Sequence, residues 1–224
     1  MQVHPNDPYA FAQEGEQGKT EMWYVIDCEP DAYLYIGFEQ PVTKTEVEEA
    51  IRTGRLESLL RWVPVHPGDT FLIEAGTVHA IGAGILLAEV QQSSNITYRL
   101  YDYGRTDVDG RPRPLHIEKA LAVANLAPTD TTLPMKKHLV QSDYFVVDKA
   151  EVIGAVNGFT GQDSFTALLV YEGSGALYAD NQYMEFENAT TFFVEAGTGG
   201  WVLAGNCSYL TVSIPATLQS KLKP

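Results

Sequence analysis

Residues 70–77 of this 224-residue chain read TFLIEAGT, and residues 191–198 read TFFVEAGT. The two stretches lie 121 residues apart, and a weaker match of WYV at 23–25 with LLV at 168–170 has an offset of 145. Recurrence of this kind is typical of a chain that folds one supersecondary unit twice. The difference of 24 residues between the two offsets predicts an insertion of about that length in the first copy.

The predicted insertion lies at residues 43–62, where the strand-like pattern is interrupted. Thr43 and Glu46 have the spacing of a capping box, which satisfies free backbone amides at the start of a helix. Apolar residues then fall on one helical face, and the pattern resumes after Gly54. We therefore expect two short helices here, and a third at 115–124 that links the two copies.

Most of the remaining chain has the composition of strands joined by turns. Segments rich in β-branched and aromatic residues alternate with glycine-containing turns. The predicted strands are 23–28, 33–38, 70–74, 85–91, 143–148, 165–171, 175–179, 190–195 and 207–214. Together with the repeat, they predict a mainly β fold of two tandem jelly-roll barrels, with a short helical insertion in the first.

Charge and composition exclude several classes of function. The net charge is −14, and both halves are acidic: 18 Asp and Glu against 7 Lys and Arg in residues 1–110, and 11 against 8 in residues 111–224. We expect no nucleic-acid partner, because phosphate backbones are bound through Lys and Arg. The chain contains no apolar run of about 18 residues, so no membrane span is predicted. It also has no signal-peptide pattern, and a cytoplasmic location is therefore expected. Cys28 and Cys207 are expected to be reduced thiols.

Two patterns near the start of the chain have the spacing of neighbours on one face of a strand. Gln2 and His4 form the first, and Lys19, Glu21 and Trp23 form the second. Such spacing directs the side chains of each set to the same side of a sheet. The side chains within each set can therefore contribute to a single site.

A third pattern, residues 68–79, resembles the second sequence motif of cupin proteins. Gly76 occupies the tight turn of that motif, and His79 occupies the position from which a histidine returns into the barrel as a metal ligand. Glu74 stands where proline is common in the motif. Glu74 recurs in the second copy as Glu195, so we interpret both as structural.

A metal site is predicted by combining these patterns. Two imidazoles, one carboxylate and one amide oxygen suit a catalytic zinc ion that keeps one position open. The predicted ligands are Gln2, His4, Glu21 and His79. A lone histidine such as His4 is more often an ordinary surface or core residue. In the second copy, however, Gly200 occupies the position of His79. The fold does not need a histidine there, which favours a functional role for His79 and predicts that the second copy binds no metal.

Four segments carry motifs in a fixed order along the chain. They are QVHPND at 2–7, GKTEMWY at 18–24, AGTVHAI at 75–81, and QQSS at 91–94 followed by TYRLYD at 97–102. These segments resemble the corresponding motifs of class I mannose-6-phosphate isomerases of the short bacterial type, which belong to the cupin superfamily. The resemblance extends over the whole chain.

The resemblance implies a fold, a reaction and a set of site residues. The fold would be two tandem cupin-type β-barrels, and the protein an enzyme of carbohydrate metabolism that interconverts D-mannose 6-phosphate and D-fructose 6-phosphate through a cis-enediolate. Its substrate partner would be a small sugar phosphate. The implied zinc ligands are Gln2, His4, Glu21 and His79. Lys19 and Arg99 would line the pocket as substrate-binding and catalytic residues. The C–H base, the phosphate-binding residues and the oligomeric state are not predicted.

The same reasoning divides the chain into three parts. Residues 1–110 would form the metal-binding cupin domain, with its helical insert at 43–62. Residues 111–137 would form a linker containing a helix, and residues 138–224 a second, degenerate cupin domain. The family carries a further segment before the QVHP motif. We expect that segment's strands to be missing here, with Gln2 poorly held at the chain end and the least ordered ligand.

Other interpretations of the same residues stay open. Considered without the motif, Lys19 would more often be an ordinary solvated lysine, and Arg99 a structural ion-pair partner of Asp102. Asn95 stands where the family often has aspartate, which removes a carboxylate from the pocket. A non-catalytic sugar-phosphate-binding cupin and an iron-dependent cupin dioxygenase remain alternatives to the isomerase. The three other histidines receive no functional assignment; they are His66, His116 and His138.

Overall fold

The computed structural model describes residues 1–106, 108–131 and 138–218. Contacts divide the chain into two units, Met1–Leu133 and Pro134–Pro224. The elements of the first unit are β1 (Gln2–Val3), α1 (Asp7–Glu14), β2 (Glu21–Cys28), β3 (Tyr33–Phe38), α2 (Lys44–Arg52), a 3-10 helix (Leu56–Leu59), β4 (Leu60–Pro64), β5 (Thr70–Ile73), β6 (His79–Ile81), β7 (Ile85–Gln91), β8 (Tyr98–Arg99) and α3 (Ile117–Val123). Those of the second are β9 (Val140–Gln141), β10 (Val146–Thr160), β11 (Thr166–Ala179), β12 (Gln182–Phe186), β13 (Thr190–Val194) and β14 (Gly199–Ser213).

The first unit is built from two antiparallel sheets. The larger has the strand order β4-β3-β6-β1-β8, and the smaller has the order β5-β2-β7. One apolar cluster contains Trp23 and Ile73 from the small sheet and Leu34 and Ile36 from the large sheet, all with little or no exposure. Burial of these side chains away from water therefore holds the two sheets together.

The helical insertion is confirmed, but its second half differs from the prediction. Thr43 caps α2: its hydroxyl oxygen accepts from Glu46 N at 3.3 Å, and its own N–H donates to Glu46 Oε2 at 2.7 Å. The second helix is a short 3-10 helix without a side-chain cap. Residues 60–62, predicted as helical, instead begin β4, which pairs with β3 and includes Trp62 and Val63, two strand-favouring residues.

Helix α3 lies within the predicted segment 115–124. Its Ala120 and Leu121 are buried in the first unit, so part of the segment assigned to a linker contributes to that core. The proposed boundaries at 110 and 137 remain a prediction. Helix α1 was not predicted, because only Ala10 of it is buried and no apolar stripe marks it.

The second unit is one sheet with the strand order β12-β11-β14-β10-β9, in which β13 also pairs with β11. The predicted strands 165–171 and 175–179 are not separate, since both lie within β11. A register shift between Val170 and Glu172, followed by Gly173 at φ 98°, lets the strand bend and continue its pairing with β14. Strand β12 was not predicted. Residues 132–137 and 219–224 of the predicted linker and second domain lie outside the described residues.

The start of the chain is better held than the sequence suggested. Gln2 pairs with His79 of β6 on one side and with Arg99 of β8 on the other. The expectation that strand pairing would fail to hold Gln2 is therefore wrong. Among the helices of the described residues, none has the length and apolar character needed to cross a membrane.

Candidate metal centre

Strand pairing brings together side chains that are far apart in sequence. His79, Gln2 and Arg99 lie directly opposite one another across β6, β1 and β8, so their side chains point to the same face of the large sheet. Glu21 comes from the first residue of β2, in the small sheet. His4 follows β1 two residues after Gln2.

Three of the four predicted ligands converge at one buried point. His4 Nε2 lies 3.1 Å from Glu21 Oε1, and His79 Nε2 lies 3.7 Å from Glu21 Oε2. Each of the three residues is only 1% exposed. Their ligand atoms all lie within 4.8 Å of one another, a spacing suited to one metal ion.

The two histidines are oriented by backbone carbonyls. His79 Nδ1 is 2.8 Å from Thr77 O, and His4 Nδ1 is 2.7 Å from Ile96 O. Because a carbonyl oxygen only accepts, each Nδ1 carries a hydrogen, and each Nε2 is turned toward Glu21. Orientation of a ligating imidazole through its other nitrogen is the usual arrangement at protein metal sites.

The hydrogen bonding of the cluster is incomplete in a way that fits a cation. His4 Nε2 and both oxygens of Glu21 are buried, and none of these three atoms has a hydrogen-bond partner among the described residues. Unpaired buried polar atoms of this kind are costly. A divalent ion with nitrogen and oxygen ligands would satisfy all three atoms, so the residues present fit a metal.

The ionisation of the cluster is also that of a metal site. Burial by itself raises the pKa of Glu21, but His4, His79 and Lys19 outweigh it and lower the pKa to about 2. Burial lowers the pKa of His79 to about 4, and the neighbouring His4 acts in the same direction. At neutral pH Glu21 is therefore ionised and His79 is neutral, which are the forms that bind metals.

Gln2 lies beside the cluster without completing it in this conformation. Its Nε2 is 3.2 Å from His79 Nε2, so the amide NH₂ faces the lone pair of that imidazole. Coordination through Oε1 would require the amide to turn by half a rotation about its last bond. The ligand role of Gln2 therefore remains a prediction.

Lys19 and Arg99 both border the site. Lys19 Nζ lies 2.9 Å from Glu21 Oε1, and its side chain is only 11% exposed, so Lys19 is not an ordinary solvated lysine. Arg99 donates to Pro114 O at 3.2 Å. The alternative ion pair between Arg99 and Asp102 is not formed, because Asp102 is bound by Arg113 and lies 3.4 Å from Arg105.

Glu89 is a site residue that the sequence reasoning missed. It lies opposite Trp23 on the neighbouring strand β7, and Trp23 shares a strand face with Glu21. Glu89 therefore lies on the same sheet face as the cluster, at a position that keeps contact with solvent. Burial raises its pKa, the charge of Glu21 raises it further, and Lys19 acts against both. Alternation along β7 is the sequence signal that would have placed Glu89 on this face.

The remaining histidines have structural partners. His116 Nδ1 accepts from Arg99 N at 3.2 Å and thereby supports the strand that carries Arg99. His138 Nδ1 lies 2.9 Å from Asp148 Oδ1, and the exposed His66 lies 3.6 Å from Asp69. Glu74 and Glu195 contribute their carbonyl oxygens to the two turns, which agrees with a structural role.

Curled antiparallel sheets and a buried His–Glu–His group define a cupin-type protein whose site is compatible with a metal ion. Residues 135–214 match the family described as "Mannose-6-phosphate isomerase, cupin domain". The chain is 40% identical over 215 residues to the mannose-6-phosphate isomerase ManA of Bacillus subtilis, which covers 92% of this chain and 68% of ManA. It is 43% identical over 164 residues to the mannose-6-phosphate isomerase of Streptococcus mutans, covering 70% of this chain and 52% of that protein.

The structural comparison agrees with the sequence comparison. The crystal structure of the mannose 6-phosphate isomerase from Bacillus subtilis is similar to this chain with a TM-score of 0.84 and 36% identity, over 95% of this chain and 70% of that one. The chain belongs to the mannose-6-phosphate isomerase family. The predicted family, the mainly β cupin fold and the assignment as an enzyme are confirmed.

Proposed function

We propose that this chain is a zinc-dependent isomerase that interconverts D-mannose 6-phosphate and D-fructose 6-phosphate. The observation that carries the proposal is the buried group of His4, Glu21 and His79, in which His4 Nε2 and both Glu21 oxygens lack hydrogen bonds and Lys19 lies close by. Membership of the isomerase family supports the reaction. Residues 1–110 would form the metal-binding domain, and residues 138–224 a second cupin domain without a metal.

Zinc would be held by His4, Glu21 and His79, with Gln2 as the fourth protein ligand. Nitrogen and oxygen ligands of these types suit zinc, and an open position for substrate or water is typical of catalytic sites. When bound, the ion would polarise substrate oxygens near the reacting carbons.

The chain's own residues account for the proton transfer. Isomerisation moves a proton between C2 and C1 of the open-chain sugar and passes through a cis-enediolate. Glu89 faces the site and has a raised pKa, so it is our candidate for the group that removes and returns this proton. Arg99 would stabilise the negative charge of the enediolate, and Lys19 would hold a substrate oxygen or assist the proton transfer.

A local basic patch accounts for binding of a phosphate by an acidic chain. Arg105 and Arg113 contact Asp102, and Arg99 also contributes its charge there. Two guanidinium groups that contact one carboxylate, with a third nearby, leave an excess of positive charge. Guanidinium donors match phosphate oxygens in geometry as well as in charge, so we assign the phosphate of the substrate to this patch.

A cytoplasmic location remains a prediction.

The test is turnover of mannose 6-phosphate by the zinc-loaded chain in D₂O. We expect fructose 6-phosphate to form and to carry deuterium from the solvent, because a proton held by Glu89 exchanges with water. Binding of mannose 6-phosphate without product would instead support the non-catalytic sugar-phosphate-binding cupin. Product free of deuterium would contradict a proton carrier that exchanges with the solvent, and so the assignment of that role to Glu89. Elemental analysis that found iron in place of zinc would favour the dioxygenase alternative.

A further inference from the structure

Every backbone N–H of the segment Gly18–Thr20, which contains Lys19, donates a hydrogen bond. Gly18 N donates to Asp7 Oδ1 at 2.8 Å, Lys19 N donates to Pro5 O at 3.0 Å, and Thr20 N donates to Gln92 Oε1 at 2.8 Å. These residues precede β2, so none of the three amides is satisfied within a strand ladder. Each consecutive amide is instead fixed by a residue from another part of the chain.

The side chain of Gln92 connects Thr20 with Asp7 through hydrogen bonds. Its Oε1 accepts from Thr20 N, while its Nε2 donates to Asp7 Oδ1 at 3.1 Å. Its backbone N–H also donates to Thr20 O at 3.1 Å, and the residue is only 7% exposed. The position therefore requires a side chain with both a donor and an acceptor, which an amide provides and a carboxylate does not.

Close packing of the backbone confirms how tightly the segment is seated. A Cβ atom added to Gly18 would lie 2.5 Å from Asn6 C and 2.6 Å from Asp7 N, so only glycine allows this approach. Ser94 Oγ donates to Gln17 O at 2.9 Å and fixes the residue before Gly18.

Lys19 is the functional side chain that this arrangement holds. Its flexible stem ends 2.9 Å from Glu21 Oε1, and the position of a lysine ammonium depends on where its Cα is fixed. Neither Asp7 nor Gln92 takes part in the metal coordination or the proton transfer proposed above. Both nevertheless belong to motifs that the sequence singled out, QVHPND and QQSS.

We propose that Asp7 and Gln92 form a positioning clamp that fixes the Lys19 ammonium in the substrate pocket. The clamp rests on the isomerase function proposed above. Neither residue contacts the reacting atoms, so both act through Lys19. Gln92 is the more informative of the two to change, because Asp7 is also the first residue of α1.

A mutant cycle with Lys19 tests the clamp through turnover. Gln92→Ala should lower kcat about tenfold or more, since small displacements of a catalytic group are costly, whereas Gln13→Ala on the exposed side of α1 should leave it unchanged. In a Lys19→Met background, Gln92→Ala should cause no further loss, because residues that act as a unit are not additive. An equal loss of kcat in both backgrounds would overturn the proposal.

A second measurement separates failure of the clamp from failure of the proposed function. Hydrogen exchange at the Gly18 and Thr20 amides, and labelling of Lys19 by an amine-reactive reagent, should both be faster in Gln92→Ala than in wild type. Gln92→Glu keeps the acceptor for Thr20 but loses the donor to Asp7 and places a second carboxylate beside it, so exchange and labelling should again be faster than in wild type. Unchanged exchange and labelling would refute the clamp, whether or not the wild type isomerises mannose 6-phosphate.

Discussion

At the scale of single residues, Glu21 connects the groups of the site. Its carboxylate lies between two imidazoles and 2.9 Å from the Lys19 ammonium. An ionised carboxylate that is buried is tolerated only where nearby groups compensate its charge. Glu21 therefore links the metal ligands to Lys19, and its charge raises the pKa of both His79 and Glu89, against the effect of burial on His79 and together with it on Glu89.

The pKa of His79 predicts how the stability of the metal-free chain depends on pH. Its pKa is about 4 in the folded chain against 6.5 for an ordinary histidine, so the unfolded state binds more protons as pH falls between these values. The contribution is present above about pH 6.5 and is lost toward pH 4, on the order of 3 kcal/mol. Urea unfolding of the metal-free chain across this range measures it.

The matched variant for that measurement is His79→Gln, which removes the titrating group. Its free energy of unfolding should decline less between these pH values than that of the wild type. Glu21 contributes at lower pH, because its pKa of about 2 in the folded chain lies below the 4.5 of an ordinary glutamate. Parallel pH curves for wild type and His79→Gln would show that His79 is not the cause.

Glu89→Gln tests the proposed proton-transfer residue. The change keeps the size of the side chain but removes the base, so kcat should fall by about 10²- to 10⁴-fold, the usual contribution of a general base. Metal content should stay unchanged, since Glu89 is not a ligand. Steady-state kinetics and metal analysis measure both, with the exposed Glu48→Gln as control. A Glu89→Gln enzyme with normal kcat would assign the base elsewhere.

At the scale of secondary-structure elements, the site depends on register between short strands. Strand β1 has only two residues, yet it places Gln2 opposite both His79 and Arg99. A slip of one residue would turn these side chains to the other face of the sheet. The hydrogen bonds that fix the flanking segments are therefore as important to the site as the strand itself.

Thr43→Ala tests the contribution of the helical insertion. The substitution removes the capping box of α2 and should lower the free energy of unfolding by about 1 kcal/mol. Thr45→Ala, at an exposed position inside the same helix, is the control and should not destabilise the chain. Denaturant unfolding measures both variants. Equal stabilities would mean that tertiary packing alone sets the start of α2.

Local patterns predicted some elements well and others poorly, for identifiable reasons. The capping box fixed the start of α2, and the strand predicted at 33–38 matches β3. Residues 60–62 were misassigned because their apolar spacing also fits a helix, and pairing with β3 decides the outcome. Strand β11 was divided in two because the bulge at Glu172 resembles a turn in sequence.

At the scale of the whole molecule, the two units share a repeat and differ in their chemistry. The turn that ends in His79 recurs in the second unit with Gly200, so the repeat itself indicated which copy carries the site. Alternation along β7 indicates the face on which Glu89 lies, but its place opposite Trp23 and the Asp7–Gln92 contact depend on pairing between distant segments. No local pattern contains that information.

The most direct test of the account is a metal titration of the metal-free chain, with isomerisation of mannose 6-phosphate followed at each addition of zinc. We expect no activity without metal, a rise in proportion to zinc, and a plateau at one ion per chain. His79→Ala should remain inactive and metal-free over the same range, while the exposed His66→Ala should follow the wild type. Full activity in the absence of metal, a plateau at two ions per chain, or unchanged zinc binding in His79→Ala would contradict the central claim that this buried cluster is the metal centre of the isomerase.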